Sequence, residues 1–167
     1  MADSEPKVIV LMGVTGSGKS TIGGLLSQGL GWKYYDADDF HPPANVRKMA
    51  DGIPLEDEDR WPWLEGLAVE IGNWLEGGQG AILACSALKE SYRRLLIGGR
   101  EQVRIVHLKG DKDLIANRLA ERVDHYMPAS LLDSQFQTLE EPQDALVVDI
   151  DATPEEIAAD IQARLQR

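Results

Sequence analysis

Eight consecutive residues, Gly13-Val14-Thr15-Gly16-Ser17-Gly18-Lys19-Ser20, fit the pattern G-x-x-x-x-G-K-[ST] at every fixed position. An apolar run precedes them and a helical pattern follows, the setting that a phosphate-binding loop needs. Its glycines let the backbone wrap a phosphate chain, and the N–H groups of the loop and the helix start favour negative charge. In that role Lys19 bridges the β- and γ-phosphates and Ser20 offers its hydroxyl to Mg²⁺, with Gly13 through Thr21 as the nucleotide-binding stretch. The pattern argues for ATP or GTP and is silent on the reaction, because switches and motors use the same loop.

A second group of chemistry-bearing residues is Asp36-Ala37-Asp38-Asp39. A kinase that acts on a hydroxyl needs one carboxylate to accept or orient the hydroxyl proton and another to hold the metal's water shell. Alternate residues of an extended segment point the same way, so Asp36 and Asp38 are expected to share a face while Asp39 points off. The same acids would serve in an acidic, helix-capping loop. Their place next to the phosphate loop favours chemistry.

The elements that must position these groups read as alternating strands and helices. Lys7 to Met12, Lys33 to Asp36, Ala81 to Cys85, Val103 to Leu108 and Leu146 to Ile150 are short apolar runs. Between and after them, helical spacing covers Lys19 to Leu30, Ala44 to Ala50, Trp63 to Glu76, Asp111 to Arg122 and Pro154 to Leu165, with Pro62 expected to fix a turn. This order predicts a three-layer α/β sandwich with a five-stranded parallel sheet of the P-loop NTPase type, in a single domain over 1–167. Asp36 to Pro62 and Val123 to Ser134 lack a clear period, and the latter, about 123–134, is expected to be a mobile lid.

The chain has 167 residues, a net charge of −11 and one cysteine, Cys85. The charge argues against nucleic acid and anionic membrane, since both need a basic footprint. A lone cysteine forms no internal disulfide, and the acidic N-terminus and short first apolar run suit neither a secretory signal nor a span, so a cytoplasmic location is expected. A local cluster of cations can still hold anions, because bulk charge is screened over about 8 Å.

One further block is distinctive. His41-Pro42-Pro43-Ala44-Asn45-Val46-Arg47-Lys48-Met49, Gly52-Ile53-Pro54-Leu55 and Asp57-Glu58-Asp59-Arg60-Trp61-Pro62-Trp63-Leu64 together resemble the gluconate kinases. Ala84-Cys85-Ser86-Ala87-Leu88-Lys89 with Tyr92-Arg93 is similar to that family's strand-and-helix signature. His125-Tyr126-Met127-Pro128 and Leu131 to Glu140 resemble its lid and post-lid segments. The resemblance implies ATP:D-gluconate 6-phosphotransferase activity feeding the pentose phosphate route, a shikimate- and adenylate-kinase-like sandwich with a mobile lid, and a homodimer. Ala37 and Asp124 stand where glycine is usual in the family.

With that resemblance in place, Asp38 is the expected acceptor or orienter of the gluconate 6-hydroxyl proton, and Asp36 the Mg²⁺ residue, through water. Arg60 is the expected partner of the substrate's carboxylate or hydroxyls, since a planar fork pairs bidentately; it would equally serve as a surface partner of Asp57 or Asp59. His41 and Lys89 are candidates to line the sugar site, and Gln135 a candidate polyol contact. Arg93 reads as a substrate-side candidate or a solvated helix charge. Arg118 and Arg122, four apart, are placed on one helix face entering the lid, Arg118 towards the nucleotide and Arg122 towards the transferring phosphate. Trp61 and Trp63 read as packing, and Cys85 as a buried strand end without chemistry. A nucleotide-gated binding module would lack the loop lysine, the acid after the second strand or the lid arginines; all three are present.

Overall fold

Val8 to Met12 are all apolar and all fully buried, which requires a central strand covered on both faces. In the computed structural model, which describes residues 6–121 and 129–165, this strand, β1 (Val8–Met12), lies in the middle of a five-stranded sheet. The other strands are β2 (Lys33–Asp36), β3 (Ala81–Ala84), β4 (Val103–Lys109) and β5 (Leu146–Asp149). The order is β2-β3-β1-β4-β5, and every neighbouring pair is parallel.

The period of two along β1 sorts its side chains between two cores. Val8, Val10 and Met12 join Leu64, Leu67 and Ile71 of helix α3 (Asp57–Glu76) and Tyr92 and Leu96 of α4 (Glu90–Ile97). Ile9 and Leu11 join Ile22 and Leu26 of α1 (Lys19–Leu30), Ile115 of α5 (Lys112–Ala120) and Ile157 and Ile161 of α7 (Pro154–Leu165). The expected three-layer sandwich is therefore present, its layers set by which side of β1 each apolar stripe meets. Two further helices are α2 (Pro43–Ala50), expected over Ala44 to Ala50, and α6 (Ala129–Thr138), which starts inside the stretch without a period. No described helix is long and apolar enough to cross a membrane.

Beyond shifts of one or two residues at element ends, three differences from the sequence reading stand out. Helix α3 begins at Asp57, six residues before Trp63, and runs through Pro62. Proline there forfeits one backbone bond, to Glu58, and the first turn is secured instead by the Asp59 carboxylate, which accepts from the Glu56 N–H at 2.9 Å. The chain is extended only as far as Asp36: Ala37–Phe40 is a 3-10 turn. Residues 129–134, assigned to an aperiodic lid, are helical as the start of α6; residues 122–128 lie outside the described residues.

The sheet order reverses direction at β1, whose neighbours β3 and β4 feed helices on opposite sides. Ligands bind outside the carboxyl ends of strands at such a switch point. The phosphate-loop motif and the acids after β2 both lie at that edge.

Candidate active site

Gly13 to Ser20 links β1 to α1 and turns as the motif requires. Gly16 and Gly18 hold φ of +81° and +97°, a region that side chains with a Cβ rarely enter. A Cβ on Gly16 would also sit 2.8 Å from the Leu119 side chain of α5, so the loop is packed as well as bent. Lys19 folds back over the loop, its Nζ donating to the carbonyls of Gly13 at 2.8 Å and Val14 at 3.2 Å. These neutral carbonyls hold the ammonium beside the cradle, from which a phosphate oxygen would draw it by charge. Ser20 and Thr21 are exposed in the first turn of α1.

Asp36 and Asp38 come together through the 3-10 turn, not through strand alternation. Asp36 Oδ1 accepts from the Asp38 N–H at 3.0 Å and caps the turn. The Asp38 side chain, 81% exposed, remains reachable by solvent. Surrounding protein strips part of its hydration and the like charge of Asp36 adds to this, so its carboxyl is held above the ordinary value; His41 and Lys19 pull the other way. Asp38 thus lies within electrostatic reach of the phosphate-loop lysine. Ala37 keeps an ordinary φ, since Ala87 is the one non-glycine with positive φ among the described residues.

His41 follows. Its ring stacks on Trp63 with centroids 4.2 Å apart, its Nδ1 lies 3.2 Å from the Asn45 amide, and its Nε2 is 3.8 Å from Asp38 Oδ1. Burial pushes the His41 pKa down, Asp38 opposes this, and the charge of Arg60 adds to it. Asn45, buried, also donates to the Asp59 carbonyl at 2.9 Å, and Lys48 bonds the Asp59 carboxylate at 2.9 Å. Helix α2 is thereby tied to the first turn of α3, which carries Arg60.

Arg60 and Lys89 meet at one carboxylate. Asp57 accepts from Lys89 Nζ at 3.1 Å through both oxygens, lies 3.7 Å from Arg60 Nη1, and accepts from the Tyr92 hydroxyl. Arg60 also donates to that hydroxyl oxygen at 3.3 Å. Hydrogen bonds from Tyr92 and then Lys89 hold the Asp57 carboxyl below its ordinary value. The surface pairing foreseen for Arg60 is therefore real, and it coincides with the candidate substrate role.

The remaining candidates are spread more widely. Gln135 on α6 accepts from the Thr15 N–H at 2.7 Å, so it engages the phosphate loop. Arg118 donates to the Ile150 carbonyl at 2.5 Å, at the end of β5. Helix α5 closes at Ala120 with Glu121 as its cap, and Arg122 lies outside the described residues, as do His125 and its neighbours. Arg93 is not a solvated charge: it is buried, and bridges the carbonyls of Ala87 and Glu140 at 2.7 Å each. That clamp holds Ala87 at φ +45° beside the phosphate loop. Burial pushes the Cys85 thiol up to about 12, in keeping with an inert residue.

Sequence reasoning passed over Asp57 and Asn45 as parts of the site and quoted Tyr92 without a role. The available signal was the i, i+3 spacing of Asp57 and Arg60; nothing local marked the other partners.

A parallel sheet with a switch point, a phosphate loop at it and an acid in electrostatic reach of the loop lysine define a P-loop small-molecule kinase. The shikimate kinase family model matches residues 15–166. The chain is 42% identical to the thermoresistant gluconokinase of Escherichia coli, over 91% of this chain and 89% of that protein. It is 46% identical to a gluconokinase of Gluconobacter oxydans, over 84% and 79%. A solved gluconokinase structure from Sinorhizobium meliloti superposes with a TM-score of 0.85 at 41% identity, covering 98% of this chain and 93% of that one. The chain belongs to the gluconokinase branch of the shikimate-kinase-like P-loop kinases.

Proposed function

We propose that the protein transfers the γ-phosphoryl group of ATP to the 6-hydroxyl of D-gluconate, giving 6-phospho-D-gluconate and ADP. The observation that carries this reading is an unbroken series of ionisable groups, cationic at both ends. Lys19 acts on Asp38, Asp38 contacts His41, Arg60 acts on His41, and Arg60 meets Lys89 at Asp57. A chain of polar carbons ending in a carboxylate fits such a series, with its hydroxyl end at Asp38 and its acid end at Arg60 and Lys89. Relatives named for gluconate support the same assignment.

In this reading the 6-hydroxyl oxygen attacks the γ-phosphorus as the bond to the β-bridging oxygen breaks, leaving its electrons on ADP. The hydroxyl proton passes to Asp38, whose raised pKa makes it a better acceptor than an ordinary carboxylate. Lys19 exchanges its loop carbonyls for phosphate oxygens, and N–H groups of the loop and of the start of α1, within Gly13 to Thr21, cradle the triphosphate. Arg60 forks onto the carboxylate, Lys89 adds a point charge, and His41, held by Trp63 and Asn45, lines the sugar site. Gln135, tied to Thr15, serves the site from the phosphate side. In this reading Arg118 serves the nucleotide and Arg122 the transferring phosphate, with a lid over about 123–134 that excludes water on closing.

Mg²⁺ suits the donors present. Among the described residues no group of three or more His, Cys, Asp or Glu forms a protein cage. A hydroxyl and a carboxylate beside a phosphate cradle match an ion that takes most of its ligands from phosphate and water. Ser20 and Asp36 would hold it, Asp36 through water, and when bound it would neutralise phosphate charge. A homodimer in the cytoplasm accompanies this reading, supported by the family resemblance and the single cysteine.

The test is ADP release from ATP and Mg²⁺ offered gluconate, related aldonates, shikimate or AMP, with the phosphorylated carbon located by NMR. Turnover with gluconate and phosphate at the sixth carbon is the expected result. Release with shikimate or AMP, and none with gluconate, overturns the assignment.

A further inference from the structure

We infer that Asp57 is an internal competitor for the substrate's carboxylate: it occupies the anion site formed by Lys89, Arg60 and Tyr92 and must be displaced before an acid can bind there. The inference rests on the reading of Arg60 and Lys89 as the acid-binding pair. Two donors and a neighbouring cation converge on Asp57. Lys89 Nζ reaches both its oxygens at 3.1 Å, Arg60 Nη1 lies at 3.7 Å, and the Tyr92 hydroxyl donates to it. These come from the starts of two helices, α3 and α4, 32 and 35 residues apart along the chain for the Lys89 and Tyr92 contacts. A free carboxylate needs the same set of donors: a point charge, a planar fork and a neutral hydroxyl.

Two carboxylates cannot share those donors, because like charges at such distances repel. Displacement is feasible because the Asp57 side chain is 41% exposed, so its carboxylate can return to water with a small rearrangement. Charge counting gives the purpose. Without Asp57 the site would present two cations, and any small anion would be drawn to it, including inorganic phosphate and the triphosphate of a misplaced nucleotide. With Asp57 in place every anion loses affinity by the same factor, the fraction of molecules in which the latch is open. Gluconate recovers that loss through its hydroxyl contacts near His41 and Asp38. A small inorganic anion has only its charge to offer and stays out.

The experiment compares wild type with Asp57→Asn and Asp57→Glu at saturating ATP. It measures KM for gluconate and the inhibition constant of inorganic sulfate acting against gluconate. In Asp57→Asn both constants are expected to fall together, by about three- to tenfold, with kcat moving less than KM. Asp57→Glu restores values close to wild type. The gain in Asp57→Asn should vanish when Lys89→Ala is added, and thermal melting verifies that each variant is folded. A gluconate KM that rises in Asp57→Asn and recovers in Asp57→Glu makes Asp57 a supporting contact and overturns the inference. So do constants that do not move. If gluconate is not a substrate at all, the substrate reading fails separately. The latch is then decided by calorimetric sulfate binding to wild type, Asp57→Asn and Asp57→Asn/Lys89→Ala: a Lys89-dependent gain sustains it, and no gain overturns it.

Discussion

The indole Nε1 of Trp63 donates a 2.8 Å hydrogen bond to the carbonyl of Ala37, joining helix α3 to the turn that carries Asp38. Both groups are buried, and the same indole stacks on His41. The turn that carries Asp38, the proposed proton acceptor, is thus positioned by a packing residue. Trp63→Phe keeps an aromatic face and removes the donor, leaving the Ala37 carbonyl unsatisfied in the core. A loss of about 1–3 kcal/mol in unfolding free energy is expected. Turnover should fall more than ATP affinity, because Asp38 is displaced while the phosphate loop is not. Urea denaturation with steady-state kinetics checks both; unchanged kcat in a destabilised variant would separate Trp63 from the site.

Lys19→Ala removes the ammonium that now rests on Gly13 and Val14. Charge developing on the transferring phosphoryl group then lacks its nearest compensation from protein. Turnover is expected to drop by on the order of a hundredfold or more, with the fold intact by circular dichroism. Near-normal turnover would remove Lys19 from the phosphate role.

Asp38→Asn should depress kcat by several orders of magnitude while ATP still binds, measured by calorimetry with a non-hydrolysable analogue. A collapse of ATP binding instead would assign Asp38 to the metal. The pH profile carries the same information. Partial desolvation and then Asp36 raise the Asp38 pKa above 3.8, so the carboxylate protonates at higher pH than an ordinary aspartate. Activity that needs the carboxylate is therefore lost on the acid side earlier than for an unperturbed group. In Asp36→Asn that limb should move to lower pH, since one source of like charge is gone. An acid limb that stays in place would exclude the Asp36–Asp38 coupling.

The parts legible in the sequence were those whose signal is local. Gly13 to Ser20 fixes loop, strand and helix at once, and β1 announces itself by five apolar residues in succession. The start of α3 was hidden because Pro62 reads as a stop, and only the Glu56–Asp59 cap explains why the helix runs through it. The 3-10 turn at Ala37–Phe40 was hidden because four residues carry too little periodicity to distinguish a turn from an extended end. Arg93 was misjudged because its burial depends on the carbonyl of Glu140, 47 residues away. Asp57 was foreseen only as a surface partner of Arg60, and its bonds to Lys89 and Tyr92, 32 and 35 residues away, were missed for the same reason. Long-range partners leave no pattern in a single chain, and the site is built largely from them.

The Arg93 clamp gives a stability prediction of its own. The guanidinium satisfies two carbonyls in directions that only a planar fork can reach. Arg93→Lys supplies one donor group in place of two diverging ones and leaves a carbonyl without its partner. Arg93→Ala loses both bonds. Expected losses are about 1–3 kcal/mol for the lysine variant, and more for alanine. Thermal and chemical unfolding measure the order, and a lysine variant as stable as wild type would show that the second bond contributes nothing.

His107 ties stability to pH. It lies on β4 opposite Met12, with its side chain 2% exposed and its Nδ1 without a hydrogen-bond partner among the described residues. Burial pushes its pKa below 6.5; Glu141, with Oε2 at 3.6 Å, opposes this, while Lys109 and Arg93 reinforce it. Above pH 6.5 both folded and unfolded chains hold a neutral imidazole, and the group adds no pH dependence. Between 6.5 and the depressed folded value the unfolded chain binds the proton and the folded one does not, so acidification favours unfolding. His41, also depressed by burial, has the same sign. His107→Leu keeps an apolar volume at that buried position on β4 and abolishes its share of the titration. The difference in unfolding free energy between variant and wild type should therefore shift in the variant's favour as pH is lowered from 7.5 to 5. Urea denaturation at both values measures the shift, and parallel stability curves would mean that His107 keeps its ordinary titration inside the fold.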